Sequence, residues 1–310
     1  MSRRLNVRYL FLILIISLPA TSWAAADKNI QPAVAIKEPA IAKSVKDPGA
    51  KELNINILWN EMEASFRATQ KFRVLSRNKE VLQAVRDEQK DAASGSYKGN
   101  AAASGQLENA NYLVIPTVQS FDLSRSHTAL PNFDSKYKQI DSGLLEVSAQ
   151  MVDTSTGQIV NTFYLKSSFC NEPQITNNKE GRPSSEDFSK MAKTVSGLLA
   201  DQFVDTVFPM KIVKCDSNGQ VVINRGQDGG LELGQILEVF SAGEKLIDPD
   251  TGVSLGASEE FAGKVEIVRI NPMITIAKIV PDGNAGKTSI GVGSILRRPQ
   301  TKSEKKAVGK

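Results

Sequence analysis

The 310-residue chain has few of the side chains that usually carry catalysis or bind metals. It contains one histidine, His127, and two cysteines, Cys170 and Cys215, far apart in the sequence. A Ser-His-Asp or Cys-His site would have to use His127, which lies in a polar stretch without a neighbouring nucleophile motif. A zinc site would need carboxylates in place of the missing histidines and thiolates. We therefore expect no enzyme activity, no metal and no cofactor, and we expect His127 to be a surface residue.

Long apolar runs are also scarce, and the longest lies near the N-terminus. Three arginines (Arg3, Arg4 and Arg8) precede an uncharged run over 9–18, and small residues follow it. This order predicts a cleavable secretory signal peptide over 1–26, with Ala24 and Ala26 at small positions of the cleavage site. The run is shorter than the roughly 20 residues that span a bilayer, and no cysteine follows it that could carry a lipid. We expect a periplasmic protein without a lipid anchor.

Export changes what the two cysteines are expected to do. Disulfides persist in oxidising compartments, and an even cysteine count favours a bond between Cys170 and Cys215. Two buried free thiols are the alternative.

Charge is distributed unevenly along the chain. The formal net charge of +4 includes the three arginines of the signal peptide. The C-terminal end from Arg297 onward holds six bases and one acid, so the remaining body is mildly acidic. We expect a basic, disordered tail over 299–310 that could touch anionic lipid or an acidic partner. Nothing in this pattern indicates a nucleic-acid partner.

Residue periodicity predicts an α/β (α+β) layered domain over 53–208, after a linker at 27–52 that holds a candidate first strand at Ala33–Ile36. Its helices are expected at 53–70, 79–91 and 185–207, all covering a mixed sheet. Strands are expected at 72–75, 112–118, 144–152 and 158–167, and loops at 92–107 and 121–141. Pro116 inside the strand at 112–118 favours an edge position or a bulge.

The composition of the sequence changes at residue 211, after which glycine is frequent. Between the glycines lie short runs rich in Val, Ile and Leu, at 221–224, 235–240, 264–270 and 274–280. Such runs at near-regular spacing predict a small all-β barrel over 211–298.

Several loops resemble binding motifs but fit turn chemistry better. Residues 282–288 match a phosphate-binding loop except that Pro281 replaces its first glycine, and no helix follows. The spacing of the carboxylates at 248–252 does not fit a calcium-binding EF-hand loop. We therefore predict structural turns in which Asp bonds its own backbone and Gly takes a positive φ. These turn residues are Asp153 and Gly157, and then Asp248, Pro249, Asp250 and Gly252.

Three motifs in the first domain resemble a known family. They are Phe72-Arg-Val-Leu-Ser-Arg77, the strand motif Asn109-Ala-Asn-Tyr-Leu-Val-Ile-Pro-Thr-Val118, and Val152-Asp-Thr-Ser-Thr-Gly-Gln-Ile-Val160. In this order they resemble the domain of the curli production assembly/transport (CsgG-like) family, over about 30–208. Residues 221–240 with the turn at 248–252 are similar to the C-terminal domain of the flagellar assembly protein T, an SH3-like barrel.

The resemblance implies an envelope assembly or accessory protein that acts by protein–protein interaction, with envelope proteins or other copies of itself as partners. Peripheral contact with the outer membrane is compatible with this role. The alternative is a subunit of an outer-membrane secretion pore of the curli type. That role is disfavoured because the chain lacks the lipid-carrying cysteine. The segments at 92–107 and 121–141 also lack the ~10-residue alternating apolar pattern of lipid-facing strands.

Overall fold

The computed structural model describes residues 31–45, 53–94, 107–247, 249–250, 252, 254–281 and 290–299. The predicted signal peptide with Ala24 and Ala26, the residue Asp248, the segment 282–288 and the tail beyond Pro299 lie outside these ranges. Within them, none of the helices has the length and apolar character needed to cross a membrane.

The N-terminal part of the described chain is an α+β arrangement with a seven-stranded mixed sheet. Its helices are α1 (Ile55–Ala68), α2 (Lys79–Ala93) and α3 (Ser185–Val207). Its strands are β1 (Ala33–Ile36), β2 (Ala40–Ile41), β3 (Arg73–Leu75), β4 (Tyr112–Ala129), β5 (Tyr137–Asp153), β6 (Ile159–Cys170) and β7 (Gln174–Thr176). The main strand order is β3-β1-β4-β5-β6, with β2 on β4 and β7 on β5. The first two pairings in this order are parallel and the last two are antiparallel.

The C-terminal part is a closed barrel of six strands in the order β10-β11-β12-β9-β8-β13. The strands are β8 (Met210–Cys215), β9 (Gln220–Ile223), β10 (Ile236–Ile247), β11 (Ser254–Ile270), β12 (Thr275–Val280) and β13 (Ile295–Arg297). Its core of aliphatic side chains is separate from the core of the first sheet, although both lie in one compact unit, Gln31–Lys310. The sequence prediction of a mixed sheet followed by an all-β barrel is confirmed at this level.

Aromatic rings fill the core between the first sheet and helices α1 and α3. The ring of Phe203 on α3 lies 5.0 Å from Phe66, 5.2 Å from Phe72, 5.8 Å from Tyr112 and 6.1 Å from Phe163, measured between centroids. Most of these contacts are edge-on, the geometry that ring quadrupoles favour. One side chain therefore connects α3 to α1, to the segment before β3 and to two strands.

Local capping explains where the two packing helices begin. The Asn54 side chain accepts a hydrogen bond from Ile57 N, and the Ser184 hydroxyl accepts one from Glu186 N. Both satisfy backbone donors that the first helical turn leaves unpaired.

Helix α2 does not cover the sheet, so that part of the prediction is wrong. Asn78 caps its N-terminus as the sequence indicates, by accepting from Glu80 N and Val81 N. However, Gln89 is its one buried residue, whereas Val81 and Val85 are 46% and 39% exposed. Three large apolar residues in fifteen give too narrow a stripe to bury a whole helix face.

Residues 121–141 are not a loop, which corrects a second prediction. β4 continues to Ala129 and β5 begins at Tyr137, so the two strands form a long antiparallel ribbon with a turn over 130–136. Polar cross-strand pairs hold this ribbon. Arg125 donates to both carboxylate oxygens of Asp141 at 2.7 Å, and His127 lies 3.3 Å from the Gln139 side-chain oxygen. These residues are therefore stabilised as strands by polar pairs across the ribbon. A prediction from the spacing of apolar residues does not detect such pairs.

Pro116 lies in an inner strand rather than at an edge. β4 has β5 on one side and the short strands β1 and β2 on the other. The register of β1 ends at Ile36 opposite Val114, and β2 resumes with Ala40 opposite Thr117. Pro116 therefore falls at the interval between the two short strands, where a missing N–H breaks no regular ladder.

Replacing Phe203 with alanine tests the aromatic core. We expect Phe203→Ala to lower the free energy of unfolding by about 3–5 kcal/mol, because it removes a fully buried ring and leaves a cavity. The control is Phe133→Ala, since Phe133 is 58% exposed at the ribbon turn, and its loss should be under about 1 kcal/mol. Urea unfolding followed by circular dichroism measures both. Equal losses in the two variants would contradict this account of the core.

Candidate interaction surfaces and a buried charge cluster

Four charged side chains meet where the C-terminal end of α3 contacts the barrel. Asp201 and Asp205 lie one helical turn apart on α3, Arg225 follows β9, and Arg298 follows β13. Arg298 forms an ion pair with the Asp205 carboxylate, donates to the Gly229 carbonyl at 2.5 Å, and lies 3.9 Å from Asp201. The cluster therefore joins the last helix of the first part to two separate segments of the barrel.

Arg225 occupies the most buried position of the cluster. It is 2% exposed, and its Nη2 lies 3.3 Å from Asp205 Oδ1. The same nitrogen donates to the carbonyl of Phe208, the residue that caps the C-terminus of α3. A cation at this end of a helix is favoured by the partial negative charge of the terminal carbonyls.

Two glycines allow the barrel backbone to approach the cluster closely. Gly230 has φ +57°, and a Cβ there would collide with the Asp201 carboxylate oxygens. A Cβ on Gly229 would collide with the Arg225 side chain. Glycine at these two positions is therefore required by space, and at Gly230 also by backbone conformation.

The environment of the cluster shifts the titration of its acids. Burial raises the pKa of Asp201 to about 6. The positive charge of Arg298 lowers this pKa in part, and the negative charge of Asp205 raises it further. Burial likewise raises the pKa of Asp205, while Arg298 and Arg225 lower it. The two carboxylates and two guanidinium groups balance in formal charge, but the desolvation of the carboxylates is not fully offset.

The raised pKa of Asp201 predicts how stability depends on pH. The pKa of Asp201 is about 6 in the native protein, whereas the unperturbed value, which applies to the unfolded chain, is 3.8. At a pH between these two values the native state therefore binds more protons than the unfolded state. The contribution of Asp201 to stability therefore rises as pH falls from 7 through 6 toward 4.

In wild type, protonation of Asp201 should raise the free energy of unfolding by on the order of 2 kcal/mol as pH falls from 7 to 4. We expect Asp201→Asn to lack this gain, because asparagine does not titrate. Urea unfolding at a series of pH values measures it, with Asp91→Asn on the exposed face of α2 as the control. If Asp201→Asn and wild type keep the same pH slope, the raised pKa is not present in solution.

Neighbouring arginines provide a matched test of the cluster. We expect Arg298→Met to cost about 3 kcal/mol or more, because it leaves the two part-buried carboxylates with Arg225 alone. Arg297→Met is the control, since Arg297 is 58% exposed and pairs with Glu259 at the surface, a contact worth under about 1 kcal/mol. Thermal unfolding at pH 7 measures both variants, and equal shifts in melting temperature would contradict the role of the cluster.

Exposed apolar side chains mark three further places on the surface. β6 is the last strand of the first sheet, and it exposes Ile159, Val160 and Tyr164 by 56%, 49% and 62%. The ribbon end exposes Phe133 by 58% and, on the adjoining β7, Ile175 by 70%. One end of the barrel exposes Leu233 and Met273 by 69% and 75%. Such surfaces suit the binding of other chains rather than bond-making chemistry.

The structure keeps the sequence-predicted site residues apart. His127 is half-buried in the ribbon beside Gln139. Cys170 is exposed at the end of β6, Cys215 is half-buried at the end of β8, and both are free thiols. The two cysteines end strands of different sheets, and the structure contains no disulfide between them. In the ranges that the structure describes, no three His, Cys, Asp or Glu side chains group as metal ligands.

The predicted turn residues that the structure describes lie in turns or directly beside them. Asp153 accepts hydrogen bonds from Ser155 N at 2.8 Å and Thr156 N at 3.3 Å, and Gly157 has φ +74°. In the β10–β11 connection Pro249 and Asp250 are in a turn, and Gly252 has φ +68°.

Sequence reasoning missed the charge cluster. The available signals were the i, i+4 spacing of Asp201 and Asp205 and the arginine in the glycine-rich run Asn224-Arg-Gly-Gln-Asp-Gly-Gly230. Each is common on protein surfaces, so neither alone indicates burial.

Comparison with known proteins gives one family match. Residues 59–167, from α1 into β6, match the model of the family described as curli production assembly/transport component CsgG. No curated protein sequence matches the chain.

Solved structures also resemble the chain, at low identity. The PelC dodecamer from Paraburkholderia phytofirmans is 14% identical, with 56% of this chain and 86% of that chain covered and a TM-score of 0.26. Protein XCC0632 from Xanthomonas campestris is 12% identical, with 56% and 85% covered and a TM-score of 0.32. A minor lipoprotein from Acinetobacter baumannii is 10% identical, with 57% and 92% covered and a TM-score of 0.25. The family match by itself indicates a CsgG-like domain at residues 59–167.

Proposed function

We propose that this protein is a non-catalytic accessory protein of a cell-envelope assembly, which acts in the periplasm by binding other proteins. The observation that carries the proposal is the CsgG-like domain at 59–167, because that family is described as a component of curli assembly and transport. The domain division at 53–208 and 211–298 is part of the proposal. So is the assignment of the six-stranded barrel as an SH3-like domain similar to that of the flagellar assembly protein T.

The surface geometry supports a binding role. The long β4–β5 ribbon carries Phe133 at its turn, and the barrel carries Leu233 and Met273 at one end. The charge cluster joins α3 to two segments of the barrel, so it restricts the movement of the barrel relative to that helix. The exposed apolar residues of the ribbon turn and of the barrel end would then keep a constant relative orientation. Two such surfaces suit a protein that brings envelope components together.

Fractionation of the source bacterium tests the location, and affinity capture tests the binding role. We expect osmotic shock to release a mature, tagged protein that has lost its signal peptide. Crosslinking before purification should recover defined envelope proteins. Phe133→Asp at the ribbon turn and Met273→Asp at the barrel end each place a charge on one surface, so at least one should reduce that recovery several-fold. Val81→Asp, on the exposed face of α2, is the matched control.

Three results would count against the proposal. The first is retention in the cytosol with the signal peptide still attached. The second is recovery of the tagged protein alone, or a recovery that neither surface variant changes. The third is detergent-dependent rings in the membrane fraction, which would indicate a secretion pore instead.

A further inference from the structure

The free edge of β6 has little protection against pairing with another strand. β6 has β5 on one side, and none of the described strands pairs with its other side. Proteins usually protect such an edge with proline, bulges or charged side chains, lysine above all. Residues 161–168 contain no proline and no register shift, and Lys166, the one lysine there, is held by Glu146 of β5 at 2.9 Å.

The backbone direction of the edge can be read from one hydrogen bond. Thr162 N donates to the Asn161 side-chain oxygen at 2.8 Å, so this N–H is not used in the ladder with β5. In an antiparallel pair the backbone groups alternate in direction along the strand. The N–H and C=O groups of Tyr164, Lys166 and Ser168 therefore point away from β5 as well. These groups form a row of donors and acceptors at the edge of the sheet.

The side chains along this row alternate in burial. Phe163 and Leu165 are 5% and 3% exposed because they face the helices, whereas Tyr164 is 62% exposed on the opposite face. A strand added at this edge would leave the core unchanged and cover the Tyr164 ring. The edge therefore offers main-chain hydrogen bonds together with an apolar contact, the combination that β-augmentation uses.

The pattern of charges favours a second copy of the same strand as the partner. If two β6 strands pair antiparallel about a twofold axis at Tyr164, Tyr164 lies opposite its equivalent and Thr162 lies opposite Lys166. The two lysines then do not face each other, and each keeps its Glu146 partner in its own subunit. Three residue pairs exchange about six main-chain hydrogen bonds in this register. An aromatic pair at the centre adds to them.

We propose that two copies of this protein associate through antiparallel pairing of their β6 edges over 162–166, so that their two mixed sheets become one continuous sheet. Pairing requires Thr162 N to exchange its bond to Asn161 for one to the partner, so Asn161 competes with association. Pairing of two β6 strands depends only on the fold and on the exposure of the β6 edge. It is therefore independent of the proposed envelope role.

Analytical ultracentrifugation of the purified mature chain, up to about 100 µM, tests the pairing. We expect wild type to form a reversible dimer. Tyr164→Lys should weaken it at least about tenfold, because two lysines then face each other at the axis and the aromatic pair is lost. Val81→Lys is the control, an exposed apolar residue on α2 away from β6, and should leave the dimer unchanged. Asn161→Ala should strengthen the dimer.

Hydrogen exchange identifies the contact directly. Raising the protein concentration should slow amide exchange at 164 and 166 in wild type and in Val81→Lys, but not in Tyr164→Lys. Circular dichroism of each variant checks that it is folded. The proposal fails if wild type stays monomeric at about 100 µM, or if Tyr164→Lys associates as wild type does. It also fails if exchange at the edge does not respond to concentration.

Discussion

Burial of the apolar stripe of α3 against the mixed sheet is the interaction on which the rest of the structure depends. Phe203 lies at its centre and contacts α1, the segment before β3 and two strands. The same helix continues to its C-terminal turn, where Asp201 and Asp205 contact the barrel arginines. Without the packed stripe, neither the helix nor the carboxylates at its end would have a defined position.

The contact between helix and barrel differs in kind from the core. Burial of apolar area is non-directional and tolerates adjustment, whereas charged groups removed from water must be paired with good geometry. The cluster therefore adds orientation rather than much net stability, and the raised pKa of Asp201 reflects the cost of its burial. The proposed binding role would benefit from this, since orientation determines which surfaces a partner meets.

Prediction from sequence succeeded where structure depends on near neighbours. Ser184 and Asn78 cap their helices through residues two or three positions away, and the α3 stripe follows from helical periodicity alone. It failed where partners come from elsewhere in the chain. The polar residues around Arg125 form a strand because Asp141 lies across the ribbon, and Pro116 fits an inner strand because two other strands leave an interval beside it.

The α+β order, the mixed sheet followed by a barrel, and most helix ends could be predicted from the sequence, because each depends on short-range periodicity and capping. The folded chain was needed to show that Arg298 contacts Asp205, 93 residues away, and that Arg225 is buried beside it. It was also needed to show that the edge of β6 is open and α2 uncovered. No local pattern specifies such outcomes, because they depend on which segments the completed fold brings together and which it leaves in solvent.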